Sequence, residues 1–120
     1  MIDFTDADLD RFLAEDPGGP VVMLNLLSFR PDGGFERYME YVARVGAMAA
    51  PYGLEIVYAG AGGDALAAED GQAWDAVALV RYPDRASFAA MVRDPAYQAV
   101  EHLRTGALVE AVLQPTTPLG

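Results

Sequence analysis

Between two prolines the chain reads Pro20-Val21-Val22-Met23-Leu24-Asn25-Leu26-Leu27-Ser28-Phe29-Arg30-Pro31. Val21 to Phe29 is apolar except at Asn25 and Ser28, and a breaker stands at each end. A short apolar run bounded in this way predicts a buried strand, because helices generally need about ten residues or more. Side chains alternate across a strand. Val21, Met23, Leu27 and Phe29 therefore share one face, and Val22, Leu24 and Leu26 share the other. A sheet covered on one side reads apolar-in and polar-out. This strand is apolar on both faces, so both require cover.

Upstream, Thr5 and Asp8 form a near capping box, and Leu9, Phe12 and Leu13 follow at helical spacing. That helix stops in Asp16-Pro17-Gly18-Gly19-Pro20. Downstream, Asp32-Gly33-Gly34 turns the chain. Phe35, Tyr38, Met39, Val42, Val45 and Ala49 then keep helical spacing up to Pro51 and Gly53. Leu54 to Ala59 reads as a second strand, and Gly60 to Gly71 as a loop with one helical turn at Ala65 to Ala68. Ala73 to Tyr82 reads as a third strand, with Trp74, Ala76, Ala78 and Val80 on one face and Val77 and Leu79 on the other. Asp84 caps a helix bearing Phe88, Met91 and Val92. Asp94-Pro95 starts another, running to Thr105 with Tyr97, Val100 and Leu103 inward. Gly106 ends it, and Ala107 to Gln114 forms a last strand.

After the leading helix, the order strand, helix, strand, strand, helix pair, strand is the split βαβ pattern of the ferredoxin-like α+β class. The expected architecture is a four-stranded antiparallel sheet with helices on one face and an extra N-terminal helix. One set of helices cannot cover two apolar faces. The second face is therefore expected to meet another copy, sheet to sheet, in a two-fold homodimer. Strand parity assigns Asp75, Val77, Leu79 and Arg81 to that interface, with Asp75 and Arg81 as an ion pair that fixes register.

The composition narrows the function classes. Eight basic residues, all arginine, against 18 acidic ones give a net charge of −10. The sequence pI of about 4.2 argues against nucleic acid and anionic membranes, which call for a basic surface. With 52% hydrophobic residues and 22% charged, the chain is expected to be ordered, not disordered. No cysteine is present, which excludes disulfides, zinc fingers and thiol nucleophiles. No apolar run approaches the roughly 18 residues of a membrane span, and no signal segment leads the chain. The expectation is one cytoplasmic domain over residues 1–120: a helical extension at 5–15, a core at 19–114 and a tail at 115–120.

The run Gly19 to Arg30 resembles the first strand of a known bacterial family. So do Tyr58-Ala59-Gly60, Trp74-Asp75-Ala76-Val77 through Arg81-Tyr82-Pro83, and Asp94-Pro95-Ala96-Tyr97-Gln98. The family is domain of unknown function 1330, within the dimeric α/β-barrel superfamily. The resemblance spans about Gly19 to Gln114. It implies the ferredoxin-like fold and the face-to-face dimer, but no reaction. Relatives elsewhere in the superfamily include cofactor-free monooxygenases acting on polycyclic phenols, haem-handling proteins and isomerase-like members, and fold alone does not choose among them.

Several motifs carry no chemistry on inspection. Gly60-Ala61-Gly62-Gly63-Asp64-Ala65 satisfies the dinucleotide fingerprint, yet too few residues precede Gly71 for the helix that would meet a pyrophosphate. It reads as a glycine-rich hairpin loop. A single histidine, His102, excludes the two-histidine metal motifs. Glu36 and Glu40 share a helix face but read as a solvated stripe. Ser28 and Ser87 stand in no nucleophile elbow. Haem is disfavoured because acidic surroundings repel its propionates and only His102 could serve as the usual axial ligand. No metal and no bound cofactor are expected.

The remaining candidates lie on the sheet and the last helix. Asn25 interrupts an apolar strand, and a buried amide needs partners, either protein groups or a ligand. Tyr58 and Trp74 carry polar handles on large apolar bodies, which suits a core or a pocket wall. Ala76 and Ala78 are small enough for helices to approach, which puts Trp74 on the helix side. Histidine is the side chain whose unperturbed pKa lies near neutrality, which makes His102 the default general acid or base. Three readings follow. The first is a dimer binding a small organic molecule between sheet and helices, with Asn25, Tyr58 and Trp74 on the pocket wall and His102 at its mouth. The second is a cofactor-free monooxygenase- or isomerase-like enzyme in which His102 deprotonates the substrate and Asn25 with Trp74 holds an oxyanion. The third is a structural or interaction dimer with a filled core.

Overall fold

The computed structural model describes residues 1–120, and its sheet is built around the strand between Pro20 and Pro31. That strand, β1 (Val21–Phe29), follows helix α1 (Asp6–Ala14) and precedes helix α2 (Gly34–Met48). Strands β2 (Glu55–Ala61) and β3 (Ala76–Tyr82) come next, then three short helices, α3 (Arg85–Arg93), α4 (Pro95–Gln98) and α5 (Glu101–Thr105), and finally β4 (Leu108–Thr116). The sheet order is β2-β3-β1-β4, with every neighbouring pair antiparallel. This is the split βαβ arrangement expected from the order of elements.

Local chemistry explains the helix starts. Thr5 Oγ1 accepts from the Asp8 backbone N–H while the Asp8 carboxylate accepts from the Thr5 N–H, a complete capping box. Asp84 accepts from Ser87 N at 2.7 Å, and Asp94 from Ala96 N at 2.8 Å with Pro95 behind it. α2 begins at Gly34, where the chain passes close to the α5–β4 connection. A Cβ at that position would run into the Ala107 carbonyl oxygen.

β1 alternates between buried and half-buried residues along its length. Val21, Met23, Asn25 and Leu27 are buried beneath the helices, opposite Tyr82, Val80, Ala78 and Ala76 of β3. Val22, Leu24 and Leu26 lie on the other face beside Arg81, Leu79 and Val77. On that face Leu24, Leu26, Val77, Leu79 and Val112 are half-buried within one chain, with no helix over them. α1 is tied into the helix layer by Arg93, which reaches Asp6 at 3.1 Å and Asp10 at 2.7 Å. Arg85 donates to the Phe12 carbonyl at 2.7 Å and lies over the Phe12 ring.

Some boundaries differ from expectation. β3 starts at Ala76, not Ala73, and the loop over residues 62–75 contains no helical turn. The helix expected over Pro95 to Thr105 is broken into α4 and α5 at Ala99 and Val100. β4 runs on to Thr116, whose hydroxyl donates to the Val22 carbonyl, so part of the expected tail is strand.

Candidate functional site

The helix-side core is not continuous. One cluster gathers Leu9, Val21, Met23, Val45, Tyr82 and Phe88 at one end of the sheet. Leu27, Ala107 and Leu108 form a second at the other. Asn25 sits on β1 between Met23 and Leu27 and belongs to neither. At this level the strands present Ala76 and Ala78 on β3 and Ala59 and Ala61 on β2, all on the helix side. Short side chains here leave a cavity of about 710 Å³ between the sheet and α2. The sequence reading took Ala76 and Ala78 as room for helices to approach; instead they are room left open.

The walls are largely apolar. A chain of ring contacts runs along one side: Phe35 to Phe29 (5.6 Å), Phe29 to Tyr38 (5.5 Å), Tyr38 to Tyr41 (5.4 Å) and Tyr41 to Tyr97 (6.2 Å). The Tyr41 and Tyr97 hydroxyls are 2.9 Å apart and hydrogen-bonded. Phe35, Met39 and Ile56 line the cavity yet are each about half exposed, which puts an apolar rim on its open side. The helical spacing of Phe35 and Met39 therefore marks a cavity rim, not a filled core.

Two polar residues among the cavity-lining side chains are deeply buried. Asn25 is 8% exposed, and its amide nitrogen donates only to the Met23 carbonyl, at 3.3 Å. Arg104, on α5, is 7% exposed. Its Nη2 has no hydrogen-bond partner. The ion pairs of the structure involve Arg11, Arg44, Arg81 and Arg93, but not Arg104. A buried charge without a counterion costs several kcal/mol before any compensation. Burial holds the Tyr38, Tyr41, Tyr82 and Tyr97 phenols above their ordinary pKa, and the nearby Arg104 charge pulls each back in part. All four are neutral at pH 7 and able to donate a hydrogen bond.

The structure brings few of the expected site residues together. Asn25 lines the cavity. Tyr58 does not; it lies on the opposite face of the sheet, 57% exposed, with its ring over Gly60. The cause is a β-bulge at Val57, which lets Ile56 face the helices while Tyr58, two residues on, faces away. Trp74 precedes β3 and is half-buried outside the cavity. Continuing the register would have set it beside Phe29, but the chain leaves the sheet first. The Phe29 N–H donates to the Asp75 carboxylate at 2.8 Å instead of to a strand carbonyl.

Asp75 therefore lines the cavity edge, and within one chain it does not meet Arg81. The two stand six positions apart, about 20 Å of strand, and Arg81 faces Glu55 across the β2–β3 pair, at 3.9 Å. Val77, Leu79 and Arg81 do lie on the open face. His102 is exposed on α5 and does not line the cavity. The inward residue of that helix is Arg104, which sequence reasoning passed over. Its signal was there: Arg104 follows Tyr97 at i+7 and Val100 at i+4, on the face already read as inward. No group of three His, Asp or Glu side chains is arranged to hold a metal ion.

A four-stranded antiparallel sheet in this order, with helices on one face and a hollow between the layers, defines a ferredoxin-like α+β protein with a cavity of small-molecule size. The chain belongs to the family described as domain of unknown function (DUF1330), whose model matches residues 34–114. That range leaves β1 outside the matched segment. A protein of unknown function from Rhodopseudomonas palustris is 32% identical, with a TM-score of 0.91 over 99% of this chain and 97% of that one. A dimeric ferredoxin-like protein of unknown function from Jannaschia sp. CCS1 is 15% identical, with a TM-score of 0.64 over 83% of this chain and all of that one. A candidate antibiotic biosynthesis monooxygenase from Bacteroides thetaiotaomicron is 18% identical, with a TM-score of 0.61 over 83% of this chain and 90% of that one. At these lower identities the last two show the fold. No curated protein matches the chain.

Proposed function

We propose that the protein binds a small, largely apolar organic molecule in the cavity between sheet and helices, as a homodimer paired through the open sheet face. The observation that carries the binding reading is the 710 Å³ hollow that divides an otherwise packed core, with Asn25 and Arg104 buried on its wall. Ligand pockets are concave, mostly apolar and carry a few fixed polar groups. A self-filled core, the structural reading, would close this space.

The dimer reading is supported by the apolar row Leu24, Leu26, Val77 and Leu79, which no element of the chain covers, and by the dimeric state of the Jannaschia relative. Exposed apolar surface of that extent is uncommon on a monomer. No helix of the chain is long and apolar enough to cross a membrane, which fits the cytoplasmic setting expected from composition. Binding is favoured over proton-abstraction chemistry because His102, the expected base, stands exposed and off the cavity wall.

The test is a thermal-shift screen of one- to three-ring aromatic compounds against the native chain and an Ala78→Leu variant. Ala78 lines the cavity opposite Asn25. Leucine there fills space that is already empty, so the variant is expected to fold normally and to lose the ligand-induced rise in Tm. Equal shifts in both proteins would place binding elsewhere and overturn the reading.

A further inference from the structure

Arg104 is the one basic side chain on the cavity wall. It is 7% exposed, its Nη2 is unpartnered and it makes no ion pair. Three carboxylates also line the cavity, Asp3, Asp75 and Glu101, and each belongs to an exposed residue. Asp75 already accepts from the Phe29 N–H. Asp3 and Glu101 keep access to solvent and ions, where their charge is screened. The buried interior of the cavity is thus positive, although the protein as a whole carries −10. Arginine holds its charge under all ordinary conditions and offers a planar fork of donors that matches a carboxylate. Beside it, the Phe29–Tyr38–Tyr41 wall offers ring faces and edges at stacking distance.

We propose that the cavity is a site for a planar aromatic carboxylate, whose carboxylate group docks on the Arg104 guanidinium while its ring lies against Phe29 and Tyr38. This rests on the binding reading above and names the ligand class. Tyr38 is a neutral donor near the same guanidinium and supplies a second hydrogen bond to the bound oxygen. Asn25 is placed to report on the remaining edge of the ligand. The unpaired arginine is then explained as a group left unsatisfied in the empty protein and satisfied by the ligand.

The proposal is tested by calorimetry at pH 7 on the full chain with benzoate, 2-naphthoate and anthracene-2-carboxylate, each against its own carboxamide. The acid of the best-fitting ring size is expected to bind at least about tenfold more tightly than its amide, as a charge-assisted bidentate contact requires. In Arg104→Met that ratio falls to about one, and the amide is held as before. Arg104→Lys keeps the charge without the fork, and an intermediate ratio is expected there. Acid and amide binding equally to the native chain would overturn the anion assignment while leaving the cavity reading intact. No binding of any of these compounds would overturn both. An undiminished ratio in Arg104→Met would also overturn the assignment, because the anion would then be held elsewhere.

Discussion

The two faces of the sheet are both apolar in sequence and are built for different ends. On the open face the residues are large and contiguous: Leu24, Leu26, Val77 and Leu79 make an apolar row that no element of the chain covers. On the helix face the large residues stand at the two ends and alanines stand between them. There the helices span a hollow instead of filling it. Hydrophobicity marks both faces alike. Side-chain volume, read across three neighbouring strands at once, is what separates a continuous apolar surface from a cavity.

That contrast can be broken most severely at the packed end of the helix face. Phe88 is 5% exposed and meets the Phe12 ring at 5.6 Å and the Tyr82 ring at 5.1 Å. Phe88→Ala is expected to cost about 3–5 kcal/mol, read by urea denaturation, because neighbours locked by other rings cannot collapse into the space. On the open face, Leu79→Arg sets a charge into the apolar row. Sedimentation equilibrium is expected to show the native chain at twice the monomer mass and the variant as a monomer. A native protein that sediments as a monomer would remove the need for a partner surface.

Inside the cavity the signs reverse. Arg104→Met removes a buried charge that has no partner and keeps most of its volume. The ligand-free variant is expected to be as stable as the native chain or more stable, by about 1 kcal/mol or more. A clear loss of stability would mean that Arg104 holds the fold together. Ala78→Leu, the smallest change near neutrality, is expected to shift stability by less than about 1 kcal/mol, since it grows into space and not into packed neighbours. A cost like that of Phe88→Ala would show that the hollow is in fact closed.

A pH titration distinguishes the same regions. Burial raises the Tyr38, Tyr41, Tyr82 and Tyr97 phenols above their unfolded pKa of about 10. Above that pH the unfolded chain binds fewer protons than the folded one, so stability is constant through neutrality and falls as pH rises beyond about 10. Ultraviolet titration should show these phenols ionising only as the far-ultraviolet circular dichroism is lost. Their ionisation in a still-folded protein would show that the cavity wall is open to water.

What could be read from sequence was local or periodic. The β1 limits between two prolines, the Thr5–Asp8 box and the Asp84 and Asp94 caps each depend on a few adjacent residues, and each stands where expected. The face assignment of Val77, Leu79 and Arg81 followed from parity alone. Parity failed where the backbone interrupts it. The bulge at Val57 sent Tyr58 to the open face, and the departure of the chain from the sheet before Ala76 removed Trp74 and Asp75 from the strand. His102 was preferred for its chemistry although Arg104 held the better position on the helix. The cavity was illegible because no single strand records it. Ala59, Ala78 and Asn25 lie far apart in the chain and become neighbours only through register.

The claim that the hollow on the helix face is a ligand site is tested most directly by a crystal structure of the native protein soaked with 2-naphthoate. The expected result is the ring against Phe29 and Tyr38, with a carboxylate oxygen within hydrogen-bond distance of Arg104. A cavity that stays empty at saturating probe, or one closed by its own side chains with Arg104 paired to a protein carboxylate, would contradict it.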